Sequence, residues 1–232
     1  MYRRLVMILV LVTVLSISVG AVNAETAQTW YLTGDDKPSG APTANDSVAH
    51  DKDNLMNKSV GVGTWTGSNF GLNSGEPAWF YADTGAECGL GFGEKNWTAH
   101  IRTESIEGGE IGSILCVEIC KLSSDGSITF LANGSETLTA AGSKKLWNMT
   151  CVDQDTKQDF ITGEWLALRV FWENETADTL TIHYKNVTGS DSYIESPSSD
   201  PGYPVPELST IILFSTGLLA LIGYVLLTKR RK

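Results

Sequence analysis

Seven asparagines of this 232-residue chain stand two positions before a Ser or Thr, with no Pro between them. At this pattern an oligosaccharide can be transferred to the side-chain amide of an exported protein. Seven matches exceed what chance placement of the eleven asparagines would give, and Asn133 and Asn174 fall among turn-forming residues, where a sugar could point into solvent. The predicted acceptors are Asn45, Asn57, Asn96, Asn133, Asn148, Asn174 and Asn186.

The four cysteines, Cys88, Cys116, Cys120 and Cys151, form a second reactive group. An even number in an exported chain predicts two disulfides. Cys116 and Cys120 share one face of a predicted strand and lie about 13 Å apart at ~3.3 Å per residue, too far to bond to each other. We therefore expect Cys88 and Cys151 each to pair with one of them, in either combination. A zinc site is disfavoured, because no His adjoins these cysteines and no Cys-x-x-Cys spacing occurs.

Oxygen-bearing side chains that could hold Ca²⁺ collect in an early polar segment. They are Asp46, Asp51, Asp53 and Asn54, without the loop glycine and distant Glu of an EF-hand. A second acidic cluster, Glu104, Glu107 and Glu110, surrounds a Gly pair. Paired carboxylates can serve glycoside hydrolysis, but a solvated acidic loop is the interpretation that we favour. The only cofactor expected is thus an optional Ca²⁺.

Large aromatic side chains on short predicted strands could offer a flat platform on which sugar rings stack. These are Trp65, Trp79, Tyr81 and Trp97, for which filling a hydrophobic core is the favoured alternative. No sequence motif of a hydrolase, P-loop or dinucleotide site is present, and the three histidines carry no catalytic spacing. His100 and His183 are expected at outward strand positions. No catalytic residue is predicted.

The charge is divided unevenly along the chain. The total is −10, yet the segment from Glu25 to Pro206 has 11 basic and 26 acidic residues, which gives 11 − 26 = −15. Nucleic acid is excluded as a partner, because neutralising phosphates requires a clustered basic surface.

Both ends predict export. Residues 1–24 have a basic start, an apolar run and small residues before Ala24, so we expect a signal peptide removed after Ala24. Residues 208–228 are apolar and long enough to span a bilayer, and the basic tail 229–232 would stay in the cytoplasm. Residues 195–207, rich in Pro and Ser, would form a stalk. The expected location is the outer face of the cell membrane.

The residues before this apolar run are Pro204-Val205-Pro206-Glu207-Leu208. Followed by an apolar helix and a short basic tail, Pro206, Glu207 and Leu208 resemble the C-terminal sorting signals read by exosortases and archaeosortases, of the Pro-Glu-Pro and Pro-Glu-Phe types. Leu208 stands where those families have Pro or Phe. The resemblance implies a membrane-bound processing enzyme as a partner. With the excess of sugar acceptors, it favours an archaeal source; a permanent single-pass anchor is the alternative.

Residues 25–194 predict one all-β domain. Short β-rich runs alternate with Gly, Asn, Asp and Ser clusters, and no helical period persists. We expect an antiparallel β-sandwich of the jelly-roll or immunoglobulin-like kind, with a long loop over 34–58. The strongest predicted hairpin joins 164–172 to 179–185. Since Leu166, Leu168 and Val170 alternate with Trp165 and Ala167, its first strand should be central.

These features predict a class of protein but no reaction. The first expectation is a non-enzymatic, glycosylated envelope protein with a structural or adhesive role, whose partners are surface glycans or envelope proteins. The alternatives are an extracellular carbohydrate-binding module and, third, a secreted polysaccharide hydrolase.

Overall fold

The computed structural model describes residues 27–47, 53–58, 69–73, 76–87, 89–92, 96–105, 112–139, 145–153, 158–173, 179–183, 192–198 and 203. The chain divides into a compact unit over Thr26–Val205 and a second unit formed by Met1–Glu25 with Pro206–Lys232. All described residues belong to the first unit. The predicted signal peptide, the predicted sorting motif at Pro206, Glu207 and Leu208, and the apolar run 208–228 lie outside the described residues.

The described segments form strands and turns without a helix. The strands are β1 (Thr29–Asp36), β2 (Asp53–Asn57), β3 (Asn69–Asn73), β4 (Ala78–Ala82), β5 (Leu90–Phe92), β6 (Trp97–Ser105), β7 (Ile114–Leu122), β8 (Ile128–Thr137), β9 (Lys145–Asp153), β10 (Gln158–Phe160), β11 (Trp165–Glu173), β12 (Thr179–His183) and β13 (Tyr193–Glu195). The all-β prediction is therefore confirmed over this part of the chain. No helix in these ranges has the length and apolar character needed to cross a membrane.

Nine strands follow one another around a closed barrel. Their order is β13, β1, β2, β4, β11, β7, β8, β9 and β6, and β6 pairs back with β13. Strand β6 has two partners on the same edge: Thr98–His100 pair with β13, and Arg102–Ser105 pair with β12. Strand β12 in turn pairs with β3, outside the ring. Strands β5 and β10 form a separate pair. The β-sandwich prediction is wrong, because the three-residue β13 joins two edges that a sandwich leaves open.

The interior of the ring is filled by side chains that alternate along the strands. Leu115, Val117 and Ile119 of β7 all point into the main cluster with Trp30, Trp97 and other fully buried rings. Burial of this apolar surface is the main force that stabilises the ring.

A second, smaller cluster covers part of the outer face. Trp79 and Tyr81 of β4 turn away from the interior and pack with Ala44, Cys120 and neighbouring residues. The backbone N–H of Ala44 donates to the Tyr81 hydroxyl at 3.3 Å, which fixes the segment around residue 44 over this face. Because both faces of β4 are covered, all five of its residues are buried.

The predicted hairpin is wrong, although both of its strands exist. Strand β11 pairs with β4 on one side and β7 on the other, whereas β12 pairs with β3 and β6. The prediction that β11 is central is confirmed. A strand that is apolar on both faces gains more burial between two long neighbours than at an edge.

The segment predicted as a stalk is partly built into the domain. Glu195 ends β13, and the Ser196 N–H donates to the Gln28 carbonyl at 2.9 Å. Tyr203 is 1% exposed and lies against Trp30. Similarly, the predicted loop over 34–58 contains β2. Proline and serine content alone therefore misplaced the end of the domain.

A candidate ligand-binding groove

Four neighbouring strands, β11, β7, β8 and β9, place a set of polar and aromatic side chains on the outside of the ring. Cys116 lies directly opposite Phe171 on one side and Ser135 on the other. Two residues along β7, Glu118 lies opposite Arg169 and Asn133. Alternate residues of a strand share a face, so the two rows of residues lie side by side on one surface. One row is Phe171, Cys116 and Ser135, and the other is Arg169, Glu118 and Asn133.

The two rows line a groove of about 470 Å³, called here the outer groove. Its walls combine carboxylate, amide, hydroxyl, thiol and aromatic groups. The lining residues are Cys116, Val117, Glu118, Asn133, Gly134, Ser135, Thr150, Val152, Phe171 and Glu173. The volume lies within the range of small-ligand sites, ~300–1,000 Å³.

An arginine orders one side of the outer groove. Arg169 Nη1 donates to Glu118 Oε2 at 2.8 Å, and its guanidinium lies 4.7 Å from the centre of the Phe171 ring. The stacked cation holds both the carboxylate and the ring in place. Glu173, at the end of β11, is exposed and has its carboxylate available to solvent.

The thiol of Cys116 is half-buried in the outer groove. Burial raises its pKa to about 11, and the charges of Glu173 and Glu118 act in the same direction. The thiol is therefore protonated at neutral pH and behaves as a small, weakly polar wall of the groove.

Three cysteines have free thiols. Cys151 belongs to the interior cluster, Cys120 to the outer cluster, and Cys116 lines the outer groove. Neither expected pairing fits this arrangement, since the sheet separates Cys151 from both cysteines of β7. Cys88 lies outside the described residues. The alternation of side chains along a strand predicts that Cys116 and Cys120 do not bond to each other, but it does not show which face of a second strand meets them.

The predicted sugar acceptors among the described residues are on or near the surface. Asn45, Asn96, Asn133 and Asn148 are exposed, and Asn57 is half-buried in β2. Asn133 lies within β8 and not in the turn that the sequence predicts, because residues 128–137 form one continuous strand. Asn174 and Asn186 fall outside the described part of the chain.

The aromatic platform predicted from the sequence is a set of core residues. Trp79, Tyr81 and Trp97 are each at most 1% exposed, and Trp65 is not among the described residues. Among the described residues that line the outer groove, the aromatic ring is that of Phe171. Alternation along β11 identifies it only once the outer face of that strand is known. His183 is buried, contrary to expectation, whereas His100 contacts Asn148, Glu195 and Tyr193 on the surface.

The predicted calcium ligands serve other contacts. Asp53 forms an ion pair with Lys37 at 3.0 Å and accepts from the Tyr81 hydroxyl, while Asp46 accepts from Trp79 Nε1 at 3.2 Å. Among the residues that the structure describes, no cluster of three or more His, Cys, Asp or Glu could hold a metal ion. Asp51 lies outside them, as do Glu107 and Glu110.

Comparison with solved structures relates this fold to hydrolases. The chain resembles a CocE/NonD family hydrolase from Staphylococcus aureus with a TM-score of 0.50 and 12% identity, over 74% of this chain and 36% of the hydrolase. It resembles an alpha-amino acid ester hydrolase with a TM-score of 0.50 and 8% identity over the same shares. The chain thus spans about a third of the length of these enzymes. No known family profile and no curated protein matches it.

These likenesses correct the expectation that the chain is not an enzyme. Its fold is one that hydrolases contain, so the lack of a short catalytic motif in the sequence does not separate it from them. At 8–12% identity the shared feature is the fold.

Proposed function

We propose that this chain is an exported domain that binds carbohydrate in the outer groove, on the outer side of a cell membrane. The observation that supports this most is the meeting of Phe171, Glu118, Glu173 and Asn133 on one surface. Sugars present both apolar C–H faces and rings of hydroxyl groups. A site for them therefore needs an aromatic ring beside several fixed acceptors and donors.

The groove supplies both kinds of contact. The Phe171 ring can lie against a sugar face, while the Glu173 carboxylate can accept from a pair of hydroxyls. Asn133 and Thr150 can each both donate and accept on the opposite wall. A structural or adhesive role at the envelope, the first expectation from the sequence, has no specific support among the described residues.

The cellular setting of this proposal rests on the sequence. It comprises a signal peptide over 1–24, a membrane helix over 208–228 and a cytoplasmic tail over 229–232, with N-linked sugars on the seven acceptors. The motif at Pro206, Glu207 and Leu208 supports a sorting enzyme as a partner and an archaeal source. Processing at this motif would detach the domain from its helix.

Hydrolysis of the bound carbohydrate is a second candidate, favoured by the occurrence of this fold in hydrolases and by two carboxylates in one groove. Glu173 lies four residues beyond Arg169, the partner of Glu118, so the two glutamates are ~13 Å apart along the strands. Pairs that cleave glycosides are ~5–10 Å apart. Binding is therefore the first proposal.

A glycan array probed with the full-length protein in detergent, made in a host that does not attach N-linked sugars, tests the proposal. We expect binding to at least one class of glycan. Phe171→Ala and Glu173→Gln should each weaken it about tenfold, the loss of ~1.4 kcal/mol of contact. Incubation of the bound glycan, with analysis for new reducing ends, tests hydrolysis in the same preparation.

Two control variants lie outside the groove. Ile161→Ala removes a side chain that is 65% exposed, and Glu87→Gln removes an exposed carboxylate. Both should bind like the unsubstituted protein. Failure to bind any glycan on the array would overturn the proposal, and so would equal losses in the groove and control variants.

A further inference from the structure

We propose that an N-linked sugar on Asn133 occupies the outer groove and controls access to it, an inference that rests on the proposed glycosylation and carbohydrate binding. All three residues of the acceptor pattern, Asn133, Gly134 and Ser135, line the groove. The acceptor is thus part of the binding surface itself.

The register of the strands fixes this position. Asn133 lies directly opposite Glu118 on β7 and Val152 on β9, and both of these residues also line the groove. A sugar joined to the Asn133 amide therefore begins between the two walls. Among the described acceptors, Asn45 is equally exposed but lies outside the lining, so the juxtaposition is a property of Asn133 and not of acceptors in general.

Tethering favours the attached sugar over free ones. A group held by a short linker has an effective concentration on the order of millimolar at a nearby site. A single sugar that contacts one aromatic ring and forms a few hydrogen bonds binds weakly. A tethered sugar of suitable shape therefore outcompetes an external glycan for the groove. The modified domain would be closed to external carbohydrate and the unmodified domain open.

The Cys116 thiol reports on this occupancy without any added ligand. It lies directly opposite Ser135 in the groove and is accessible enough to be alkylated at alkaline pH. A sugar seated on Asn133 should slow its alkylation, because the reagent must enter by the same opening.

The experiment compares Ser135→Ala, which removes the acceptor but keeps Asn133, with Ser135→Thr, which preserves it. Both full-length proteins are prepared in a host that glycosylates exported proteins and in one that does not, and mass spectrometry reports sugar on Asn133 and the rate of Cys116 alkylation. We expect the glycosylated Ser135→Thr protein to react several-fold more slowly than Ser135→Ala. The same two proteins made without glycosylation give the difference in rate that the substitutions themselves cause, and the slowing by the sugar should exceed that difference.

Binding to the array gives the second readout. Glycosylated Ser135→Thr should bind external glycan roughly tenfold more weakly than Ser135→Ala. Ser47→Ala, which removes the acceptor pattern of Asn45, should change neither rate nor affinity. The inference is overturned if Asn133 carries no sugar, or if it carries sugar and Cys116 reacts at the same rate in both variants. A different result separates this inference from the proposed function. If none of the proteins binds the array but Cys116 still reacts more slowly in glycosylated Ser135→Thr than in Ser135→Ala, the proposed function is overturned and the seated sugar is supported.

Discussion

Arg169 of β11 lies directly opposite Glu118 of β7, and its guanidinium donates to the Glu118 carboxylate at 2.8 Å while stacking on Phe171. One cation therefore fixes a carboxylate and a ring that both line the outer groove. Its removal should change both the stability of the sheet and the shape of the groove.

Arg169→Met should lower the free energy of unfolding by about 1 kcal/mol, because both partners are partly exposed and water screens their attraction. Urea unfolding of the full-length protein measures the change. Arg169→Lys keeps the positive charge but loses the planar guanidinium, so its free energy of unfolding should lie between those of Arg169→Met and the unsubstituted protein. An Arg169→Met protein as stable as the unsubstituted one would show that the pair contributes nothing.

The three described thiols should alkylate at different rates in the folded protein. Cys116 is partly accessible, whereas Cys120 and Cys151 are buried at 0% exposure. Mass spectrometry after brief labelling at pH 9 should find Cys116 modified first and the other two modified only in denaturant. Recovery of any of the three in a disulfide-linked peptide from the non-reduced protein would contradict the free thiols of the structure.

Stability should fall as the pH rises above about 9. Burial raises the pKa of Cys116 to about 11 and that of Cys151 to about 12, from the ordinary thiol value of 9.0. As the pH rises, the thiols of the unfolded chain lose their protons before those of the folded protein. Their contribution to the free energy of unfolding is therefore fully present below pH 9 and is lost progressively as the pH approaches the folded pKa values. Urea midpoints at pH 8 and pH 10.5 measure this; a midpoint that rises with pH would refute it.

Tyr203 should be essential to the domain even though it lies in the Pro-rich segment. Its hydroxyl donates to the Thr84 carbonyl at 2.8 Å and accepts from the Leu166 N–H at 3.1 Å. Tyr203→Phe should cost about 1–3 kcal/mol, since it removes the hydroxyl that accepts from the buried Leu166 N–H and donates to the Thr84 carbonyl. Tyr203→Ala should cost about 3–5 kcal/mol through the cavity it creates. Urea unfolding that is the same for all three proteins would show that the segment is an external stalk.

Gly126 and Gly163 form a matched pair for testing the segment that covers Trp79 and Tyr81. Both have positive φ, +83° and +88°, but a Cβ at Gly126 would collide with the Thr43 carbonyl, whereas one at Gly163 meets nothing within 4 Å. Gly163→Ala should cost about 1 kcal/mol of backbone strain. Gly126→Ala should cost more and increase the exposure of Trp79, which tryptophan fluorescence reports. Equal losses of stability in Gly126→Ala and Gly163→Ala would mean that the contact with Thr43 is unimportant.

Local patterns predict part of the strand arrangement. The apolar character of both faces of β11 predicts its place at the centre of a sheet, and its pairing with β4 and β7 confirms this. The three-residue strands β5, β10 and β13 are too short for an alternating pattern to establish them, and β2 lies in a segment that the sequence predicts to be a loop. The turn predicted at Asn133 lies inside the continuous strand β8.

The outer groove could not be derived in the same way. Its residues come from four strands, and nothing near Glu118 in sequence indicates that Arg169 or Asn133 lies beside it. The same limit applies to the cysteines. Their spacing predicts that Cys116 and Cys120 do not bond to each other, but the side of the sheet on which Cys151 lies depends on the register between β6 and β9. The aromatic residues were identified as candidates, yet burial assigned Trp79 and Trp97 to the core.

The sequence by itself determined the all-β character of the domain, the alternation of side chains along its long strands and the acidic charge of the segment from Glu25 to Pro206. These properties follow from the composition and the two-residue period of a strand, which act over a few neighbouring residues. Only the tertiary structure decided that the sheet closes through β13, that Tyr203 belongs to the core and that Asn133 lies in a groove beside Glu118. Those outcomes depend on pairings between distant strands, whose register is set by the burial of the whole core.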